Sequence, residues 1–277
     1  MLGKLFKYDW KSFWKVPAAI NIFLLIITII GAISLISPFW ELDYEIIDTL
    51  MIVAILFYYL ALFAGSIAVF AYIAIRYYKN VYTDEGYLTH TLPVAPRDII
   101  LSKLFVGAIW SFITALVMGI SVFIILSTAI SSVELWEIIQ EFKSVVIPEF
   151  EREMGMSIYV FTLLVLLYMI INTFFSILMI YSSISLGQMF TKHKVAGAVI
   201  WYIAEYVITQ FGFSMIINIP LMKLFSYDSD INVSIPAGTI GSTVNMMLFS
   251  TMLITVIIGI ILYFITEYMM RKKLNLD

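Results

Sequence analysis

Six long apolar runs constrain this chain more than any other feature. Uncharged stretches cover residues 16–40, 49–75, 104–133, 154–191 and 231–266, and a further one, 195–222, is interrupted only by Glu205. Each exceeds the roughly 20 apolar residues that cross a bilayer as a helix. The expected class is an all-α integral membrane protein with six transmembrane helices, at about residues 17–40, 49–75, 104–130, 157–187, 195–219 and 245–268.

The charges between the runs alternate in sign. Of sixteen Lys and Arg residues, all but Lys143, Arg152 and Lys223 fall in the N-terminal segment, in the second and fourth connections, or in the tail 271–273. The other connections are acidic, with Glu41, Asp43, Glu45 and Asp48 in the first and Glu134, Glu137, Glu141, Glu149, Glu151 and Glu153 in the third. The positive-inside rule then places both termini in the cytoplasm, as expected of a multi-pass protein of the cell membrane. Composition agrees: 13% charged residues is about half the share of a soluble domain. The net charge of −3 averages a basic side and an acidic side, which argues against a nucleic-acid partner. With no cysteine, disulfides, Cys-ligated metal and thiol catalysis are all excluded. The first run is about twice the length of a signal-peptide core and reads as a retained anchor. No repeat or low-complexity tract divides residues 1–277, so one membrane domain is expected.

Residues 1–15 read as an amphipathic helix on the inner surface of the membrane. At about 100° per residue, Lys4, Lys7, Lys11 and Lys15 share one narrow sector, while Leu2, Leu5, Phe6, Trp10, Phe13 and Trp14 lie opposite. Pro17 is expected to separate this helix from the first span. Asp9 falls on the apolar side and needs a local hydrogen bond, a partner such as Arg76 or Lys103, or a contact with another protein. In the third connection a short surface helix is expected before Pro148 ends it, and residues 220–241 should form short pieces at the outer leaflet. Ala61, Ala64, Gly65 and Ala68 would let a neighbouring helix approach closely.

The connection 76–103 is the most informative. Thr83 suits the cap of a short helix that carries Asp84 and Glu85 in its first turn, and Pro93 should stop it about two turns later. Pro96 suits the first position of the next helix. A short helix held crosswise between two spans is not something a bilayer requires. A docking partner is its natural explanation. Here the chain resembles the permease subunits of ATP-binding-cassette exporters of the ABC-type-2 family, especially the short Gram-positive ones. The resemblance rests on Glu85-Gly86, the run Thr91-Leu92-Pro93-Val94, then Arg97 and Lys103, on the opening Met1 to Lys11, and on six spans with inner termini. Where the family often has Ser after Pro-Val, this chain has Ala95 and Pro96. The resemblance implies an ATPase-coupling loop containing Asp84, Glu85, Gly86, Leu88, Thr91, Leu92, Pro93, Val94 and Arg97, and an N-terminal connecting helix containing Lys4, Lys7, Asp9, Trp10, Lys11 and Trp14. It further implies a separate ATPase subunit as partner and a second permease subunit, identical or related.

The chain has no phosphate-binding loop. Its only Gly-Lys pair, Gly3-Lys4, is followed by Leu5. ATP and magnesium are therefore expected on the partner, with no cofactor, metal or catalytic residue here. Hydrolase chemistry lacks its parts: His90 and His193 fall in connections, Gly119-Ile120-Ser121 lacks a second Gly, and no span contains an Asp. An ion-coupled transporter is the competing reading, because Glu205 lies roughly 15 Å into the fifth span. A sensor or immunity subunit is another. A charged group at a helix centre costs about 2.5–3.5 kcal/mol, so Glu205 should point into the bundle or a wet cavity, either held structurally, by Tyr202, Tyr206 or Gln210, or contacting cargo or gating. The residues leave the substrate open among amphipathic peptides, lipids and hydrophobic drugs.

Because the chain has no native Cys, single Cys substitutions test the topology directly. An impermeant thiol reagent on intact cells should label positions 43, 144 and 229 and spare 89, 193 and 275. Labelling at 89 would reverse the orientation.

Overall fold

The computed structural model describes residues 2–36, 45–91, 93–129, 132–190, 192–228 and 239–272. They are almost entirely helical, with no strand among the described residues: α1 (Leu2–Phe13), α2 (Lys15–Leu35), α3 (Glu45–Tyr82), α4 (Asp84–Thr91), α5 (Pro96–Ala129), α6 (Ser132–Glu141), α7 (Ile147–Met154), α8 (Ile158–Gly187), α9 (Lys194–Asp228) and α10 (Thr239–Lys272). Six of them, α2, α3, α5, α8, α9 and α10, are long and apolar enough to cross a membrane. The protein is a multi-pass membrane protein of the all-α class. Asp43, Leu92, Ser229 and Asn275, which figure in the sequence expectations, lie outside the described residues.

The helices differ from the apolar runs mainly at their polar shoulders. α3 continues to Tyr82 and α5 begins at Pro96, so most of the connection 76–103 is helical. A helix has no reason to stop where hydrocarbon ends, since its i→i−4 bonds persist into water, while Pro96 tolerates the first position because no donor is needed there. Pro17 corrects the N-terminal expectation. The break falls at Trp14, and Pro17 sits within the first turn of α2, where its missing N–H costs nothing. Pro148 does not end a helix either: α6 passes through a π-helical turn, Phe142–Val146, into α7, whose first turn holds Pro148. Gly155 ends α7 in the left-handed conformation with φ 66°, which glycine adopts without a Cβ penalty.

The described residues fall into two compact units, 1–138 and 139–277. In the first, α2, α3 and α5 pack around Leu24, Tyr58, Leu62 and Ile125, flanked by Ile20, Ile27, Val117 and Val122. Gly65 belongs to this packing, because a Cβ there would lie 2.8 Å from the Leu24 methyl groups. The small stripe of α3 thus uses its glycine within the chain, against α2.

In the second unit, α8 packs against both α9 and α10. Phe175, Ile177, Leu178, Tyr181 and Ile184 of α8 are buried. The α8–α9 hairpin closes tightly: a Cβ on Gly187 would come within 2.5 Å of the Ala198 backbone nitrogen. At the opposite end α7 meets the start of α10, where Asn245 Nδ2 donates to Met154 O at 3.1 Å. The Phe150 and Phe161 rings sit edge to face there, with centroids 5.0 Å apart.

Gly187→Val should therefore force α8 and α9 apart. Overpacking of this kind costs about 1–3 kcal/mol, so thermal unfolding in detergent should begin about 3–10 °C lower. Gly212→Ala, at a position with no atom within 4 Å of an added Cβ, serves as the neutral control. Equal melting of the two variants would contradict the close approach.

Candidate functional site

At one end of the first unit, four elements exchange charge-assisted hydrogen bonds. Asp9 of α1 accepts from Ser102 Oγ at 2.6 Å and from Lys103 Nζ at 2.9 Å, both at the start of α5. The pair is largely enclosed, with side chains 10% and 19% exposed for Lys103 and Asp9. Lys103 also lies 3.1 Å from the Asn80 amide oxygen of α3, whose nitrogen in the orientation its partners require is 2.5 Å from Glu85 Oε2 of α4. Glu85 stands 4.0 Å from Arg76 Nη1, and Arg76 donates to Ser12 of α1. The chain Asp9–Lys103–Asn80–Glu85–Arg76–Ser12 thus ties α1, α3, α4 and α5 together.

Local sequence explains how each element presents its groups. Asp9 lies on the packed face of α1, where Trp10 stacks on Phe6 at 6.0 Å and on Trp110 of α5 at 5.4 Å. Phe13 meets Tyr72 of α3 at 4.8 Å. The aromatic face of α1 is thus laid on the protein's own helices, while Lys4, Lys7 and Lys11 are exposed. Trp14, at the break, departs from that face and is 44% exposed.

α4 is held by its other flank. Thr89 Oγ1 lies 2.9 Å from the Asn80 carbonyl and 3.0 Å from the Glu85 carbonyl. The Gly86 N–H donates to Thr83 O at 2.6 Å. Thr83 directs its hydroxyl proton backward, to Lys79 O of α3 at 2.7 Å, so it closes the preceding helix as well as opening the next. Asp84, Tyr87, Leu88 and Thr91 recur at i, i+3, i+4 and i+7 and form the opposite stripe. All four are exposed, Leu88 by 74%.

The expected coupling residues therefore divide. Gly86 is buried and Glu85, although its side chain is 56% exposed, turns to Asn80 and Arg76, whereas Asp84, Leu88, Thr91, Pro93 and Arg97 are exposed without such contacts to α3 and Val94 is half-buried. Leu92 is outside the described residues. Asn80, Ser102 and Ser12 were not singled out from sequence. They are uncharged, and only the return of α5 beside α1 and α3 brings them together.

Glu205 is buried in α9, 8% exposed. Its carboxyl oxygens lie 2.8 and 2.7 Å from Ser182 Oγ of α8. The expected partners Tyr202, Tyr206 and Gln210 on its own helix do not supply this contact. The partner is 23 residues away across the hairpin, beyond the reach of helical periodicity.

Comparison of the chain with protein-family models, curated proteins and solved structures finds no match.

Asp9 and Lys103 should be strongly coupled. Removing one partner of an enclosed pair leaves an unpaired charge, at about 2–3 kcal/mol for a pair that is not fully buried. Asp9→Ala should lower the apparent Tm in detergent by about 5–10 °C. Asp9→Ala combined with Lys103→Met should melt within about 3 °C of the native chain, because the orphaned ammonium is gone. Additive losses in the double variant would show that the two do not act as a pair.

Proposed function

We propose that this protein is the membrane-spanning permease subunit of an ATP-driven exporter, in which α4 receives the motion of a separate ATPase subunit. The observation that carries this reading is the two-sided seating of α4. One flank is bonded through Glu85 and Thr89 to α3, and through Asn80 and Lys103 to α5 and α1. The other presents Asp84, Tyr87, Leu88 and Thr91 to the surroundings, with Tyr87 53% and Leu88 74% exposed. A helix of eight residues is too short to stand alone, so its position follows the helices it is bonded to. Force applied to its outer stripe would pass directly to the ends of α3 and α5. The exposed Tyr and Leu between acidic and hydroxyl groups are the small anchor that a partner's groove would cover.

The remaining parts fit this reading. In it, α4 and the charged network lie on the cytoplasmic side of the cell membrane, and Lys4, Lys7 and Lys11 on the outer flank of α1 meet anionic headgroups. ATP and magnesium bind the partner subunit, a second permease subunit completes the pathway, and the likeness of 85–103 to ABC-type-2 permeases supports the same assignment.

The outer stripe can be altered without touching the network. In Leu88→Ser the apparent Tm should stay within about 2 °C of native, since that side chain is 74% exposed. Affinity purification from native membranes should bring down a P-loop ATPase with the native chain and at least ten-fold less with the variant, with ATP-dependent export falling in parallel. Equal recovery of the ATPase, or no ATPase with either chain, would sink the proposal.

A further inference from the structure

We propose that a cleft between α8, α9 and α10 binds a membrane amphiphile whose head is uncharged and carries hydroxyl or amide groups. This rests on the protein spanning a bilayer and not on the exporter reading. The cleft has a volume of about 330 Å³, roughly ten times the share of liquid volume that one water takes. Its polar lining is unusual for its depth. Tyr202 lies about 12 Å and Gln210 about 24 Å along α9 from Lys194, within a segment long and apolar enough to cross the membrane.

What distinguishes these polar groups is that they are unused. The hydroxyls of Ser176, Thr209 and Thr251 donate to carbonyls of their own helices at 2.8, 2.9 and 2.8 Å. By contrast, the amides of Asn172 and Gln210 and the phenols of Tyr168, Tyr202 and Tyr206 make no hydrogen bond to another described residue. Asn172, Tyr202, Tyr206 and Gln210 are exposed in the cleft, and amides and hydroxyls without protein partners within a membrane span favour an occupant that hydrogen-bonds. No charged side chain lines it. Glu205, on the same helix between Tyr202 and Tyr206, is engaged by Ser182 instead. An ionised head would find no counter-charge here, whereas a glycerol, sugar or amide head meets both donors and acceptors.

The tail has a place as well. Phe175 lines the polar cleft and also a second, apolar groove of about 310 Å³ between α8 and α10, lined by Ile170, Phe174, Leu178, Val256 and Gly259. On α10 the two meet within about one turn, between Thr251 of the cleft and Thr255 of the groove. A molecule with its head beside Asn172 and Gln210 would lay its chain past Phe175 into that groove.

The test uses the full chain in phosphatidylcholine nanodiscs containing a diacylglycerol with a photoreactive acyl tail, and in parallel a phosphatidic acid with the same tail. Adducts are mapped by mass spectrometry. Diacylglycerol should label peptides covering 168–179 and 251–263 at least five-fold more than phosphatidic acid, and unlabelled diacylglycerol should compete. Asn172→Leu/Gln210→Leu should cut the labelling at least five-fold. If that variant misfolds, Tyr206→Phe, which removes one hydroxyl only, should reduce labelling by at least two-fold. Equal labelling by both lipids, labelling indifferent to the folded variants, no labelling because water alone fills the cleft, or crosslinks joining two copies through these residues would each overturn the proposal.

Discussion

The structure depends on what happens to a hydroxyl where there is no water. Buried Thr28, Thr114, Ser185, Thr255 and Thr266 give their protons to carbonyls four residues earlier, at 2.7–2.9 Å. Each polar side chain is thereby satisfied by its own helix, just as the backbone is. Hydroxyls satisfied only in this way do not hold helices together. Association is left to shape, which is why close approach at Gly65 against Leu24 and at Gly187 against Ala198 matters. The few polar groups that do reach across then carry specificity. Asn21 donates to Thr114 of α5 at 3.1 Å, and the Thr28 and Tyr58 hydroxyls lie 3.3 Å apart between α2 and α3.

The same constraint sorts the charges. An ion pair within hydrocarbon would bear the full desolvation of both groups, whereas at a helix shoulder the cost is smaller and the attraction is still only partly screened. The Asp9–Lys103 pair sits at such a shoulder, where α5 has left its most apolar stretch and α1 covers it. Its position lets one strong interaction fix α1 against α5. Asn80, being neutral, continues the connection toward Glu85 without adding a third charge to bury.

The fold class was legible because the apolar runs are long and the bilayer permits few structures. The expected beginnings of α4 and α5, at Asp84 and Pro96, were legible for a local reason: acids in a first turn and proline at a first position act within a few residues. What escaped was non-local or depended on helix continuation. Pro17 and Pro148 read as breaks, yet each lies in a first turn, where proline is harmless. Lys103, one of the partners expected for Asp9, does meet it, but the further bond to Ser102 depends on two segments 93 residues apart. The division of the 84–97 residues into inward and outward sets required knowing which flank of α4 meets α3. No periodicity in an eight-residue helix reveals that.

Glu205 and the cleft beside it show why conspicuousness in sequence is a poor guide to availability in a membrane. A single carboxyl among apolar residues attracts notice because an ionisable group within a span is costly. That same cost ensures that the fold engages it, and Ser182 is placed to do so. Phenols and amides cost less each, so several can remain without protein partners provided that something else meets them. Tyr168, Asn172, Tyr202, Tyr206 and Gln210 form such a set on the second unit, gathered from two helices into one concavity. A neutral group left open is available to a ligand, and a carboxyl already met by its neighbour is not, so what this part of the protein offers a ligand is hydrogen bonding and not a counter-charge.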